Sequence, residues 1–258
     1  MLLLNHSLYF HSLFTSMQNE TSRLIAKELG REEAPSEIAI QIMQMVAELE
    51  GIALSEKSKR GAATIGGAMH AYDAAFDRFD IRTARDQARK IQGLVNGENT
   101  PTDIDPNVRR AIELAHDNLN PSALSALKDL TIAQVDSLGQ RDGSADQNKI
   151  TDITKRKGAS TVLLFALEVS PDMTDKRRKC FEELGYLIQL IDDFHDQTVD
   201  IKDGIATLAT TLVKPEVLAL IKNQYRVVRE LFGKEYEEHK LGKMFAYVDK
   251  LMAKSGIL

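Results

Sequence analysis

The sequence predicts an all-α protein, a single-domain bundle of about ten helices over residues 1–258. Three observations lead there. Glycine and proline are scarce, at 15 and 6 residues, while Ala, Leu, Glu, Lys, Gln and Met, which keep rotamer freedom in helices, recur throughout. No stretch alternates apolar and polar residues for long, and no glycine-rich turn follows a strand-like run, which leaves nucleotide-binding sheet folds without support. Several helix starts are also written out in proline-containing first turns.

The opening MLLLNHSLYFHSLF is apolar but has no basic lead and is interrupted by Asn5, His6 and His11. It is too short and polar to span a bilayer and does not read as a signal peptide. It belongs to a first helix over 2–29 that packs on the core, with membrane-surface association as the other reading. Pro35-Ser36-Glu37 opens a helix over 36–52, carrying Ile38, Ile42, Met45 and Val46. Helices over 56–80 and 82–95 follow. Asp105-Pro106 and Asn120-Pro121 place proline in the first turns of helices over 106–118 and 121–138. The stretches NGENTPTDID (96–105) and GQRDGSAD (139–146) are rich in turn formers and read as loops. Further helices are expected over 145–169, 172–198, 215–233 and 235–254, with 203–213 a short helix or a loop. Composition does not shift enough at any loop to mark a domain boundary.

With 38 acidic and 33 basic residues the net charge is -5, which argues against a general nucleic-acid binder. Cys180 is the sole cysteine, so an intramolecular disulfide framework and CxxC metal sites are excluded. A reducing compartment, the cytoplasm, is expected.

The chemistry is concentrated in LGYLIQLIDDFHDQTVD, residues 184–200. Asp192, Asp196 and Asp200 stand at i, i+4 and i+8, on one helical face with Gln189 and Gly185, and Asp193 lies about 100° round. Aspartates spaced this way repel one another and weaken a helix. Leu187, Ile188, Leu190, Ile191 and Phe194 crowd the same segment, so the acids are expected to face an internal polar cavity, where a hard divalent cation such as Mg²⁺ offsets their repulsion. A second acid set lies in YDAAFDRFD, where Asp73, Asp77 and Asp80 share a face and Arg78, Arg82 and Arg85 are near enough to neutralise them as surface pairs. Two such helices facing each other across a bundle can hold Mg²⁺ ions that clamp a diphosphate. Of the three cations before the apolar run GASTVLLFALEV, Lys157 is the best placed to reach it, because Gly158 and Ala159 leave room beside it.

These residues resemble the class I isoprenoid synthase superfamily, most specifically the trans-prenyl diphosphate synthases. Gly185, Gln189, Asp192, Asp193 and Asp196 match the second aspartate-rich pattern GxxxQxxDDxxD, Asp200 extends it, and Asp203-Gly204 with Thr207 resembles a tail found in some members. Lys157 is similar to the lysine that contacts the diphosphate in that family. YDAAFDRFD resembles the first aspartate-rich motif in position but lacks its adjacent DD pair. The resemblance implies helices around a central cavity and a cluster of up to three Mg²⁺ held by Asp73, Asp77, Asp80, Asp192, Asp193, Asp196 and Asp200. It also implies a prenyl diphosphate substrate, bound through Gln189, Lys157 and Arg82, and a homodimer. The basic element that takes the second substrate in elongating members has only a loose counterpart in Lys59 and Arg60, with Lys57 nearby, and Arg82 and Arg85 stand for a paired arginine. Phe76 and Tyr186, and beside them Phe165 and Tyr72, are candidates to face an allylic cation, although each also reads as an ordinary core residue. His195 sits off the acid stripe and is a poor Mg²⁺ ligand.

Three alternatives stay open at this point. A terpene cyclase would release diphosphate without a second substrate, and a non-catalytic helical subunit would partner an active synthase. A di-iron bundle has only one Glu-x-x-His, at Glu113 and His116.

Overall fold

Proline lacks the N–H that a helix's first turn leaves unpaired, and two of the three predicted proline starts open helices at the proline itself. Pro106 begins α4 (Pro106–Asn118) and Pro121 begins α5 (Pro121–Ser137). The preceding side chains complete these starts, Asp105 accepting from the Val108 N–H and Asn120 from the Ala123 N–H at 2.9 Å. The computed structural model describes residues 34–77, 80–98, 103–141 and 143–258, and all regular structure among them is helical. The expected helix over 2–29 lies outside the described residues.

Two compact units divide the described chain, the first comprising residues up to Thr131 with Leu164–Pro171, the second Ile132–Leu163 with Asp172–Leu258. In the first, α1 (Ala34–Glu50) packs Ile40, Met43, Val46 and Ala47 against α2 (Glu56–Asp77), whose Ala62, Ala63, Ile65 and Met69 are buried. The spacing of three and four residues is that of one apolar helix face. Next comes α3 (Ile81–Val95), which buries Ala84, Ala88, Ile91 and Val95 and packs, like α2, on α4. Its start is fixed by Asp80, whose carboxylate accepts from the backbone N–H groups of Arg82 and Thr83 and from the Thr83 hydroxyl. The helix expected over 56–80 therefore ends before Asp80, which belongs to the next element.

The second unit is organised on α7 (Asp175–His195), where Cys180, Phe181, Leu184, Leu187, Ile188, Leu190 and Ile191 are buried on every side. A helix that is apolar all round must be enclosed. It is packed by α9 (Leu208–Thr211), α10 (Lys214–Glu235) and α11 (Glu238–Lys254), with Phe181, Phe232, Tyr236 and Phe245 forming an edge-to-face and stacked aromatic cluster. The sixth helix, α6 (Gln147–Val169), approaches α7 at a pair of glycines. A Cβ on Gly158 would lie 2.3 Å from the Gly185 carbonyl oxygen, and one on Gly185 would lie 2.1 Å from that of Gly158. Only glycine permits that approach.

Two further boundaries depart from expectation. The helix expected over 172–198 is divided at Asp196, which ends α7 and precedes α8 (Gln197–Asp203). Aspartate competes poorly in helix interiors and favours their ends. The stretch 139–146, expected to be a loop, begins inside a 3₁₀ turn, Leu138–Gln140, whose residues are all buried. Gln140 and Ala206 fasten it by mutual hydrogen bonds, Ala206 N–H to Gln140 O and Gln140 Nε2–H to Ala206 O, each 2.9 Å. Glycine and glutamine at a turn look like surface when the segment 66 residues away that covers them is not in view. Within 203–213, α9 is the short helix. No helix among the described residues is long and apolar enough to cross a membrane.

Candidate functional site

The acids of α7 and α8 remain linked in spite of the break at Asp196. Asp196 N–H donates to Asp192 O at 2.9 Å, and Asp200 N–H donates to Asp196 O at 2.9 Å, so the three follow one another at successive turns. Asp193, Asp196 and Asp200 are 7%, 6% and 3% exposed, which is rare for aspartate and places them within the unit. Asp192 is half-buried by exposed area and densely surrounded. Burial pushes its carboxyl well above the usual carboxylate range, and the charges of Asp196 and Asp193 push in the same direction. Burial and the same two kinds of neighbour, Asp193 and Asp196, carry Asp200 up to about 6.

Lys157 stands in the middle of α6 and is itself buried, at 7% exposure. Its positive charge opposes the upward shifts of Asp192, Asp193 and Asp200, so it lies within electrostatic reach of all three. Burying a lysine is costly unless anions accompany it. The crossing of α6 on α7 at Gly158 and Gly185 brings these groups together, which gives the glycine of the sequence pattern its physical reason.

Asp193 is held differently from its neighbours. Its Oδ1 accepts from Gln189 Nε2 at 2.8 Å and its Oδ2 from Thr154 Oγ1 at 3.3 Å. Burial raises its pKa, and the Gln189 bond, Lys157 and the Thr154 bond work against that rise. Gln189 is 2% exposed and its carbonyl Oε1 has no hydrogen-bond partner. Buried acceptors of this kind are rare and mark a strained or ligand-directed group.

Tyr186 is buried with the Lys155 ammonium 5.9 Å over its ring, and burial followed by the charges of Glu183 and Asp193 raises its pKa. His195 is half-buried at the end of α7. In the first unit, Lys59 pairs with Glu56 at 2.5 Å in the first turn of α2, Arg60 and Arg82 are exposed, Phe165 is buried, and Asp80 caps α3. Capping, chiefly the Thr83 hydroxyl, holds Asp80 below the usual carboxylate range. The side chains of Tyr72, Asp73, Phe76 and Asp77 lie outside the described residues. Among the described residues, no three His, Cys, Asp or Glu side chains converge as a ready ligand set.

Two neighbours of the acids were not anticipated. Thr154 joins across the helix crossing, and Tyr247 of α11 is buried where the charge of Asp192, after burial itself, pushes its phenol upward. No local pattern marks Tyr247. The Gln189–Asp193 bond, in contrast, is an i, i+4 pair visible in sequence.

No family model matches this sequence, and no curated protein matches it. Among solved structures the chain is similar to a geranyltransferase from Legionella pneumophila, at 12% identity over 97% of this chain and 94% of that one, with a TM-score of 0.48.

Proposed function

We propose that this chain is a Mg²⁺-dependent class I isoprenoid synthase that ionises an allylic prenyl diphosphate, with prenyl transfer in chain elongation as its reaction. The observation that carries the reading is the set of buried aspartates on α7 and α8 beside the buried Lys157. The donor chemistry fits Mg²⁺: carboxylate oxygens, and an unpaired amide oxygen on Gln189. Because no three such side chains converge among the described residues, an ion here would bind through fewer carboxylates and fill its shell with waters and phosphate oxygens.

In this reading carboxylates among Asp192, Asp196 and Asp200 would supply oxygens to the metal, which when bound would neutralise charge growing on the diphosphate, and Asp73 and Asp77 are the further ligands that the family resemblance assigns. Lys157 binds a diphosphate oxygen, its ammonium already desolvated and so a stronger partner for an anion than a surface lysine. Gln189 orients the same group. The C1–O bond breaks with its electron pair leaving on the diphosphate oxygen. The double bond of isopentenyl diphosphate then captures the C1 cation, and the adduct loses a proton to the released diphosphate. The family resemblance assigns charge for the second diphosphate to Lys59, Arg60 and Arg82, and rings for the cation to Phe76 and Tyr186.

The test is incubation with C10, C15 and C20 allylic diphosphates and Mg²⁺, with and without isopentenyl diphosphate, followed by product analysis. Longer prenyl diphosphates formed only with the co-substrate support the proposal. Hydrocarbons or alcohols formed without it select a cyclase instead, and no turnover of any substrate selects a non-catalytic bundle.

A further inference from the structure

We propose that Thr154 is a positioning residue for the diphosphate site: its hydroxyl and the Gln189 amide fix both oxygens of Asp193, which sets the place of Lys157 and the neighbouring acids. The inference rests on the class I reading above.

Helical threonines in this protein usually turn their hydroxyls inward. Thr131 donates to Leu127 O, Thr151 to Gln147 O and Thr161 to Lys157 O, each at 2.8 Å and four residues back. Thr154 departs from this habit and donates across the helix crossing to Asp193 Oδ2. It is 2% exposed, so the contact is shielded from water. Thr154 precedes Lys157 by three residues on α6, which sets hydroxyl and ammonium on neighbouring positions of one helix face. Gln189 Nε2 holds the other oxygen at 2.8 Å. The Gln189 NH₂ faces Asp193, and its carbonyl is turned the other way with no partner. The clamp therefore presents an unsatisfied acceptor, 98% buried by its 2% exposure, beside the acids. The Gly158–Gly185 approach keeps the two helices in the register that this geometry needs. Asp193 accordingly acts through others.

The experiment compares wild type with Thr154→Val and Thr154→Ser, using calorimetric titration of inorganic diphosphate at fixed Mg²⁺ and melting without ligand. Thr154→Val should weaken Mg²⁺-dependent diphosphate binding about three- to tenfold, as expected for one long, buried hydrogen bond, and Thr154→Ser should return it to within about twofold of wild type. Thr154→Ala replaces the valine variant if that one does not fold. Wild-type affinity in the valine or alanine variant overturns the proposal, as does a serine variant as weak as valine. If wild type itself binds no diphosphate with Mg²⁺, the class I reading fails and takes the proposal with it, a result distinct from the other two.

Discussion

Both units bury carboxylates, and they do so in opposite ways. In the first, Glu168 is 6% exposed and stands alone, with Oε2 accepting the Asn120 N–H at 2.8 Å while Asn120 Nδ2 donates back to Leu167 O and Glu168 O. That acid closes the start of α5, and burial carries its carboxyl up to about 7 although the Asn120 bond and Lys57 oppose the rise. In the second unit, Asp192, Asp193, Asp196 and Asp200 crowd one another beside a buried lysine. A lone buried acid with a backbone donor is explained by the helix end it completes. In the second unit the charges of Asp193 and Asp196 push both Asp192 and Asp200 upward, a crowding that costs stability and points to a ligand.

The largest effect is expected at the crowded end. Asp192→Asn should lower turnover of an allylic diphosphate at least about 100-fold while leaving the unliganded protein as stable as before or more so. The folded-state pKa of Asp192 lies above its ordinary value, so the native state favours the protonated form and ionisation at neutral pH opposes folding. The gain in melting temperature should be present at pH 7–8 and fade as pH falls toward the ordinary carboxylate range. Large destabilisation of the unliganded variant would make the acids a structural network and erase the contrast with Glu168.

Glycine substitutions sharpen the same comparison. Gly185→Ala drives a methyl into the Gly158 backbone and should cost about 3 kcal/mol, a fall in melting temperature on the order of 10 °C. Gly61→Ala, beside the lone acid, meets the Glu168 carboxyl at 3.1 Å and a Leu119 methyl at 3.3 Å, side-chain ends that can shift, so its cost should be below about 1.5 kcal/mol. Equal losses in paired thermal melts would mean that the α6–α7 crossing is no tighter than the α2 packing.

Glu168 gives a smaller, pH-dependent effect. Its folded pKa of about 7 exceeds the ordinary value of 4.5, so it penalises folding increasingly as pH rises between those values and by a constant amount above. Glu168→Gln should therefore be more stable than wild type by about 1–2 kcal/mol above pH 7, after allowance for a weaker bond to Asn120, and the difference should vanish near pH 4.5. Denaturant titrations at pH 4.5, 6 and 8 measure it. A pH-independent difference would mean that Glu168 is held by more than its single backbone donor.

The smallest effect belongs to Asp80. Asn caps helices as well as Asp, so Asp80→Asn should melt close to wild type and Asp80→Ala slightly below it, with Mg²⁺-dependent diphosphate binding unchanged in Asp80→Asn. Loss of that binding in the asparagine variant would return Asp80 to the metal set.

The sequence by itself determined the all-helical class, the proline starts at Pro106 and Pro121, and the acid pattern from Gly185 to Asp200, because helix propensity, capping and i, i+4 spacing act within a few residues. The Gln189–Asp193 bond was within the same reach. Only the tertiary structure decided that Lys157 is buried among the acids, that Thr154 turns its hydroxyl to Asp193, that Tyr247 lies near Asp192, and that Glu168 completes the start of α5. Those partners are separated by 39 residues for Thr154 and Asp193 and 48 for Asn120 and Glu168, and no local periodicity encodes which helices cross or where. The crossing itself is set by two glycines whose missing side chains matter only once the other helix is in place.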